Sequence, residues 1–173
     1  YTITRRCLDV LSRKNWPIII LTKSDLVLRD LDIIERTKDI EVGLTVTIID
    51  ENIREIFEPR APRYDLRLRA LKVLASKVEN VYAFIGPLIP IIGEKYLENI
   101  ISDVSEVGVK RILFDKLNIK ARNWESINKA LDLLDVNKKV FWTKTRSKTF
   151  WLHVKKRVSI LARKYEVTVD FCY

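Results

Sequence analysis

Short apolar runs recur along the chain, and each is followed by a polar tip and then by an amphipathic stretch. Ile18 to Leu21 is one, the alternating Leu44, Val46 and Ile48 are a second, and Val81 to Ile85 and Arg111 to Phe114 are the others. Strands that are apolar on both faces belong to parallel sheets covered by helices, because a sheet with one wet face alternates instead. The repeat therefore predicts an α/β fold with parallel strands and outer helices. At 173 residues and 47% apolar composition one sizeable core is expected, yet a complete (β/α) barrel usually takes about 250 residues.

The helical stretches are predicted over 3–13, with Ile3, Cys7, Val10 and Leu11 on one side, over 28–37, 50–57 and 64–77, and over 94–107 up to Gly108. Asn123 reads as the cap of a helix running to about Leu134. The remainder reads as a strand near Val140 to Thr143, a helix from Phe150 to Tyr165 and a last strand from Val167 to Phe171. No linker rich in Gly, Ser or Pro divides the chain. Residues 1–120 are expected to form the sheet-bearing core, and residues 121–173 a basic extension packed on it.

In parallel α/β sheets the chemistry gathers where loops leave the carboxyl ends of the strands. Those tips carry Thr22, Lys23 and Ser24, then Thr45 and Thr47, then Gly86 and Pro87, then Asp115, Lys116 and Asn118. Ser24 and Asp25 are also ordinary helix-capping types. Lys23 differs, because a cation directly after a buried strand needs an anion or solvent. Thr45 and Thr47 share one face of their strand, where they suit a ligand hydroxyl or simply favour strand geometry. The loop "GPLIPIIGE" reads either as an apolar wall for a ligand or as a tight connection, and Asp115 with Lys116 as a site or an internal ion pair.

The segment "FEPRAP", residues 57–62, places two prolines around Glu58 and Arg60. Each proline pushes the residue before it into extended geometry, so the segment is stiff. A stiff turn beyond a strand tip either presents Glu58 and Arg60 in a fixed pose for an anion or forms a rigid helix-to-helix corner.

The net charge of +9 is local. From Asn137 to Tyr165 there is no Asp or Glu, while ten Lys and Arg residues are present. Lys138, Lys139, Lys144, Arg146, Lys148, Lys155, Lys156 and Arg157, with Trp142 and Trp151 among them, form a candidate nucleic-acid surface in which cations meet phosphates and rings meet bases. The competing reading is a solvated basic helix whose aromatics face the core. Cys7 and Cys172 stand at opposite ends, unsuited to a metal cluster or disulfide framework, and are expected to be inert or partly buried thiols. His153 is the one histidine and lacks an acidic neighbour, so neither a Ser-His-Asp triad nor a two-His metal site can be assembled, and the catalytic residues are unknown. The absence of a Gly-rich phosphate loop disfavours a phosphate-handling enzyme of the nucleotide-loop kind. A composition with 32% charged residues is compatible with a thermophilic source. With no apolar run of about 18 residues and no leader pattern, a soluble cytoplasmic protein is expected.

The motifs "ILTKSDLVLRDLD", "IEVGLTVTIID", "EPRAP", "FIGPLIPIIGE" and "ILFDKLN" occur in this order over 20–118. Together they resemble the radical S-adenosylmethionine superfamily, in particular the group of spore photoproduct lyase and its archaeal and bacterial relatives. EPRAP after a Thr-bearing strand is the most specific of them. The resemblance implies a partial (β/α) barrel whose complete form binds a 4Fe-4S cluster on three cysteines together with S-adenosylmethionine, and abstracts hydrogen with an adenosyl radical. It places Thr45 and Thr47 near the ribose and Ile85 to Ile89, with Gly86 among them, near the adenine. Glu58 and Arg60 fall over the methionine or substrate end, and Lys23 is a carboxylate partner; Asp115 and Asn118, from the last strand tip, are counted as cofactor-binding candidates beside them. The cysteine triad of that family and its first strands have no counterpart here, so no metal site or cofactor is expected to be held by this chain alone. The expectation is the C-terminal part of a lyase-like, DNA-repair-like enzyme, inactive as this segment, that begins before Tyr1 in its natural form. It would associate through its first edge, with a complementing N-terminal half or with itself. The alternative is a non-catalytic barrel remnant that binds nucleic acid through residues 137–165.

Overall fold

The computed structural model describes residues 2–173, with the side chains of residues 121 and 122 outside the description, as is Tyr1 at the start of the expected core segment. Five strands form one parallel sheet in simple sequence order: β1 (Ile18–Thr22), β2 (Ile40–Thr45), β3 (Val81–Leu88), β4 (Arg111–Lys116) and β5 (Thr168–Phe171). Helices α1 (Ile3–Arg13), α2 (Leu31–Arg36), α3 (Glu51–Phe57), α4 (Tyr64–Lys77), α5 (Leu97–Glu106), α6 (Ala121–Leu133), α7 (Lys138–Arg146) and α8 (Lys148–Lys164) connect and flank them. This is the expected α/β architecture of a partial barrel. Because every neighbouring pair is parallel, all strand tips emerge on one side.

The two sheet faces differ. Val42, Leu44, Ala83, Ile85, Ile112 and Phe114 alternate onto the helix-covered face and are fully buried in the principal core. On the opposite face stand Ile19 and Leu21, 71% and 49% exposed. Tyr82 lies on that face against β2, where a Cβ on Gly43 would fall 2.2 Å from its ring. Arg111 ties the lower ends of three strands there, pairing with Glu41 on β2 and, at 2.9 Å, with Asp170 on β5. The segment after residue 120 supplies this fifth strand as well as three helices.

Four local expectations are corrected. Residues 140–143 are helical, inside α7, because the apolar positions Phe141, Trp142 and Thr145 fall at helical spacing and pack inward. Asn123 is inside the first turn of α6, where its Oδ1 accepts the Lys120 N–H at 2.9 Å. On α1 the buried contact is Leu8, with Leu11 beside it, while Ile3 and Val10 are exposed. Ion pairs Arg5–Asp30, Arg5–Asp32 and Arg36–Asp9 dock this helix on α2 and its approach, and so turn the Ile3–Cys7–Val10 stripe outward. Cys7 and Cys172 are free and exposed, which removes the partly buried alternative of the expectation that they are inert or partly buried thiols. No helix among the described residues is long and apolar enough to cross a membrane.

Candidate functional site at the strand tips

The β1 tip turns at once into a short 3-10 segment, 25–30, capped by Ser24, whose Oγ accepts the Leu26 N–H at 3.2 Å. Ser24 is thus a cap. Lys23 reaches across to the EPRAP turn and pairs with Glu58 Oε1.

The EPRAP turn is held by two buried arginines that flank it in sequence. Arg54, in the last turn of α3, donates from Nη1 to the carbonyls of Glu58 and Ala61, each at 2.9 Å. Arg67 is 0% exposed and is on the buried stripe of α4 with Tyr64, Ala70, Leu71 and Leu74. Its Nε donates to the Pro62 carbonyl at 2.8 Å, its Nη1 to the Thr45 carbonyl at 3.2 Å and its Nη2 to Glu58 Oε2 at 2.6 Å. The prolines remove backbone donors and fix φ, and the arginines satisfy the carbonyls that no helix or strand uses. Thr47 completes the constellation, its Oγ1 standing 3.4 Å from Glu58 Oε1.

Burial acts to raise the Glu58 pKa, but the Lys23 and Arg67 cations outweigh it and hold the carboxyl below its ordinary range. Glu58 is therefore a fixed carboxylate near neutral pH, suited to orienting Lys23 and unsuited to donating a proton.

Beside this network opens a cleft of about 750 Å³, between the β1 tip and the turn. Lys23, Asp25, Glu58 and Arg60 line its charged side, and Leu26, Phe57 and Leu66 its apolar side. Arg60 is exposed and makes no ion pair or side-chain hydrogen bond among the described residues. Lys23, Thr47, Glu58 and Arg60 are thus brought together. Thr45 is buried beside them, with its carbonyl on Arg67.

The other tip residues stand further along the rim. Ile85 is fully buried in the principal core. Gly86 lies under the Phe84 ring, where a Cβ would be 2.6 Å from its Cζ and 3.0 Å from Asp115 Cβ. Asp115 accepts the Lys116 N–H at 2.9 Å and forms no ion pair with it. Asn118 is exposed and its carbonyl accepts from Asn123. The "GPLIPIIGE" loop is a packed connection, since Ile89 and Ile92 enter a second core with Ile48, Leu117, Leu131 and Phe141. Glu94 fastens it, accepting the Ile91 N–H at 2.6 Å and pairing with Lys144 at 3.0 Å.

The basic segment is only partly free. Lys138 pairs with Asp132 at 2.6 Å, Lys144 with Glu94, and Arg157 donates to the Glu94 carbonyl at 3.1 Å. Trp142 is buried, stacked on Trp124 at 4.1 Å with its indole N–H on Asn128, and Trp151 is buried with its N–H on the Thr145 carbonyl. Lys139 and Lys156 are exposed and make no ion pair among the described residues, as is the case for Arg146, Lys148 and Lys155. His153 is exposed. No group of three or more His, Cys, Asp or Glu residues among those described is placed to hold a metal ion.

Arg54 and Arg67 are the members of the site that sequence reasoning missed. The signal for Arg67 was present, as a cation at a core position of an amphipathic helix that needs a buried acceptor.

No protein-family model matches the chain. An uncharacterized protein of Methanocaldococcus jannaschii is 37% identical over 121 residues, covering 70% of this chain and 45% of that protein. An uncharacterized protein of Acidianus two-tailed virus is 26% identical over 137 residues, covering 76% of this chain and 46% of that one. The chain spans less than half the length of these curated relatives. Spore photoproduct lyase, solved as a point mutant and in complex with dinucleoside spore photoproduct, superposes on 98% of this chain and 56% of its own with a TM-score of 0.74 at 12% identity. The chain therefore shares the α/β fold of spore photoproduct lyase.

Proposed function

We propose that the chain is the C-terminal portion of a radical S-adenosylmethionine, iron-sulfur enzyme resembling spore photoproduct lyase, and that it is inactive without the portion bearing the cluster cysteines. One observation carries this reading: on a barrel of that type, Lys23, Glu58, Arg67 and Thr47 converge beside a cleft in which Arg60 stands unpaired.

The cluster does not fit the described residues, since Cys7 on α1 and Cys172 beyond β5 are far apart in the fold and a cluster takes three thiolates. S-adenosylmethionine does fit. Arg60 offers an unpaired fork to a carboxylate and Lys23, oriented by Glu58, offers a second cation, while Leu26, Phe57 and Leu66 accept the apolar part of the ligand. The resemblance gives the ribose to Thr45 and Thr47 and the adenine to 85–89, of which Ile85 is closed off in the core. Bound there, S-adenosylmethionine would supply the adenosyl group for hydrogen abstraction. The chain's own contribution is to bind and orient it, with Glu58 ionised throughout.

The complementing portion would add a strand beside β1. Ile19, Leu21, Ile3 and Val10 are exposed along that edge, and an uncovered parallel edge is a template for pairing. In calorimetric titration of the full-length protein with S-adenosylmethionine, Arg60→Ala and Lys23→Ala should each weaken binding by about tenfold or more, as loss of a charged hydrogen bond does. Hydrogen exchange should show the outward-facing amides of β1, those not bonded to β2, protected in the same protein. Unchanged affinity in both variants, with the fold intact, removes the proposed site, and free exchange of those outward-facing amides removes the complementing strand.

The second reading, a barrel remnant that binds nucleic acid through residues 137–165, is favoured by the unpaired Lys139, Arg146, Lys148, Lys155 and Lys156. With Trp142 and Trp151 turned inward, phosphate neutralisation rather than base stacking would be its means. Binding of a strand without any S-adenosylmethionine affinity selects it over the first.

A further inference from the structure

At the elbow between α7 and α8, on the rim beyond β4 and β5, a second cleft of about 490 Å³ gathers Lys116, Arg146, Lys148 and Lys155 around Trp151 and Tyr173. None of the four cations has a carboxylate within ion-pair distance among the described residues, whereas Lys138, Lys144 and Lys164 nearby are all paired. Three of the four are instead held over aromatic rings. Lys116 Nζ is 5.0 Å from the Tyr173 centroid, Lys155 Nζ 4.6 Å from that of Phe171 and the Arg146 guanidinium 5.9 Å from that of Trp124. A ring fixes a cation's position on one side and leaves its other donors free, which a carboxylate partner does not. Lys148 opens α8, a helix of 17 residues, so the positive end of the helix dipole adds to the cluster.

A separate observation concerns Tyr173. Its hydroxyl is the buried side-chain polar atom that has no hydrogen-bond partner among the described residues, and a buried donor left unpaired is costly. Burial, and after it Asp115, pushes this hydroxyl up to about 12, so it stays protonated, and being sealed from solvent it leaves the ring as the part of Tyr173 that walls the cleft. Asp115 acts on Tyr173 from β4 but does not line the cleft. The Trp151 indole N–H is already on the Thr145 carbonyl, so that residue contributes a wall and no donor.

We infer that this cleft is a phosphate-binding site, in which Arg146, Lys148, Lys155 and Lys116 neutralise the oxyanion and Trp151 and Tyr173 form its wall. The site requires no S-adenosylmethionine; where its ligand is a strand, it rests on and deepens the nucleic-acid reading, which shares Arg146, Lys148 and Lys155. Its chemistry is shared by a free phosphate monoester and by the backbone of a strand.

The test titrates the full-length protein with inorganic phosphate, and separately with a short single-stranded oligonucleotide, followed by calorimetry. Arg146→Gln with Lys148→Gln should weaken phosphate binding by about tenfold or more, given the usual loss for a charged hydrogen bond. The pair Lys72→Gln with Lys129→Gln, exposed cations of α4 and α6 that remove the same charge outside every site described, should leave it nearly unchanged. If the oligonucleotide competes with phosphate, the strand backbone is the source of the ligand; if it does not, a small phosphate ester is. The inference is overturned if wild-type protein binds no phosphate, or if the Lys72 and Lys129 pair weakens binding as much as the Arg146 and Lys148 pair. Far-UV circular dichroism and melting of each variant establish that the fold is retained, and a loss of binding counts only in variants that melt as the wild type does.

Discussion

Replacing Arg67 by Met should lower stability by about 3–5 kcal/mol, because it leaves a buried carboxylate without its interior partner. In a domain of this size that corresponds to a melting temperature lower by about 10 °C. Arg67 is fully buried and joins α4 to the Pro62 and Thr45 carbonyls as well as to Glu58. The second substitution Glu58→Gln should therefore cost less in the Arg67→Met background than in the wild type, since it neutralises the charge left unpaired. Chemical denaturation of the four proteins measures the difference, and full additivity would contradict the coupling.

The same network has a pH dependence whose sign follows from Glu58. Its folded pKa is depressed, so its contribution is present above the unfolded value of about 4.3 and is lost as pH falls through the lower folded value. In Arg67→Met burial is opposed by Lys23 alone. The acid limb of stability should then move upward in pH, and an unshifted limb would show that Lys23 suffices.

Phe141→Ala should be of similar size, about 3–5 kcal/mol, because it empties a fully buried aromatic site. Phe141 packs edge-on against Trp142 and belongs to the second core, which joins the 86–94 loop to α6 and α7. Its loss should loosen that loop first. Hydrogen exchange would show Ile92 and Gly93, whose amides bond to the Pro90 and Ile89 carbonyls, losing protection before the β2 and β3 amides. Simultaneous loss everywhere would show that the two cores unfold as one unit.

The kinked turn illustrates how far local sequence reaches. Two prolines and a glutamate after a strand tip implied a rigid feature, and Lys23 implied a needed anion. That each was the other's answer depended on a contact 35 residues apart in the chain. The basic tail illustrates the opposite case. Its charge and its aromatics were both legible, but whether Trp142 and Trp151 faced bases or the core depended on where α7 and α8 docked.

Periodicity alone determined the strands, the long helices and the parallel sense of the sheet, because burial on both strand faces leaves few other solutions. It failed at 140–143, where a short apolar run fits helix and strand equally and only packing against the second core selects the helix. Only the tertiary structure decided which cations are free. An ion pair is made by side chains that meet across elements, so Arg60 and the elbow cluster are distinguishable from their paired neighbours only once the helices are docked on the sheet.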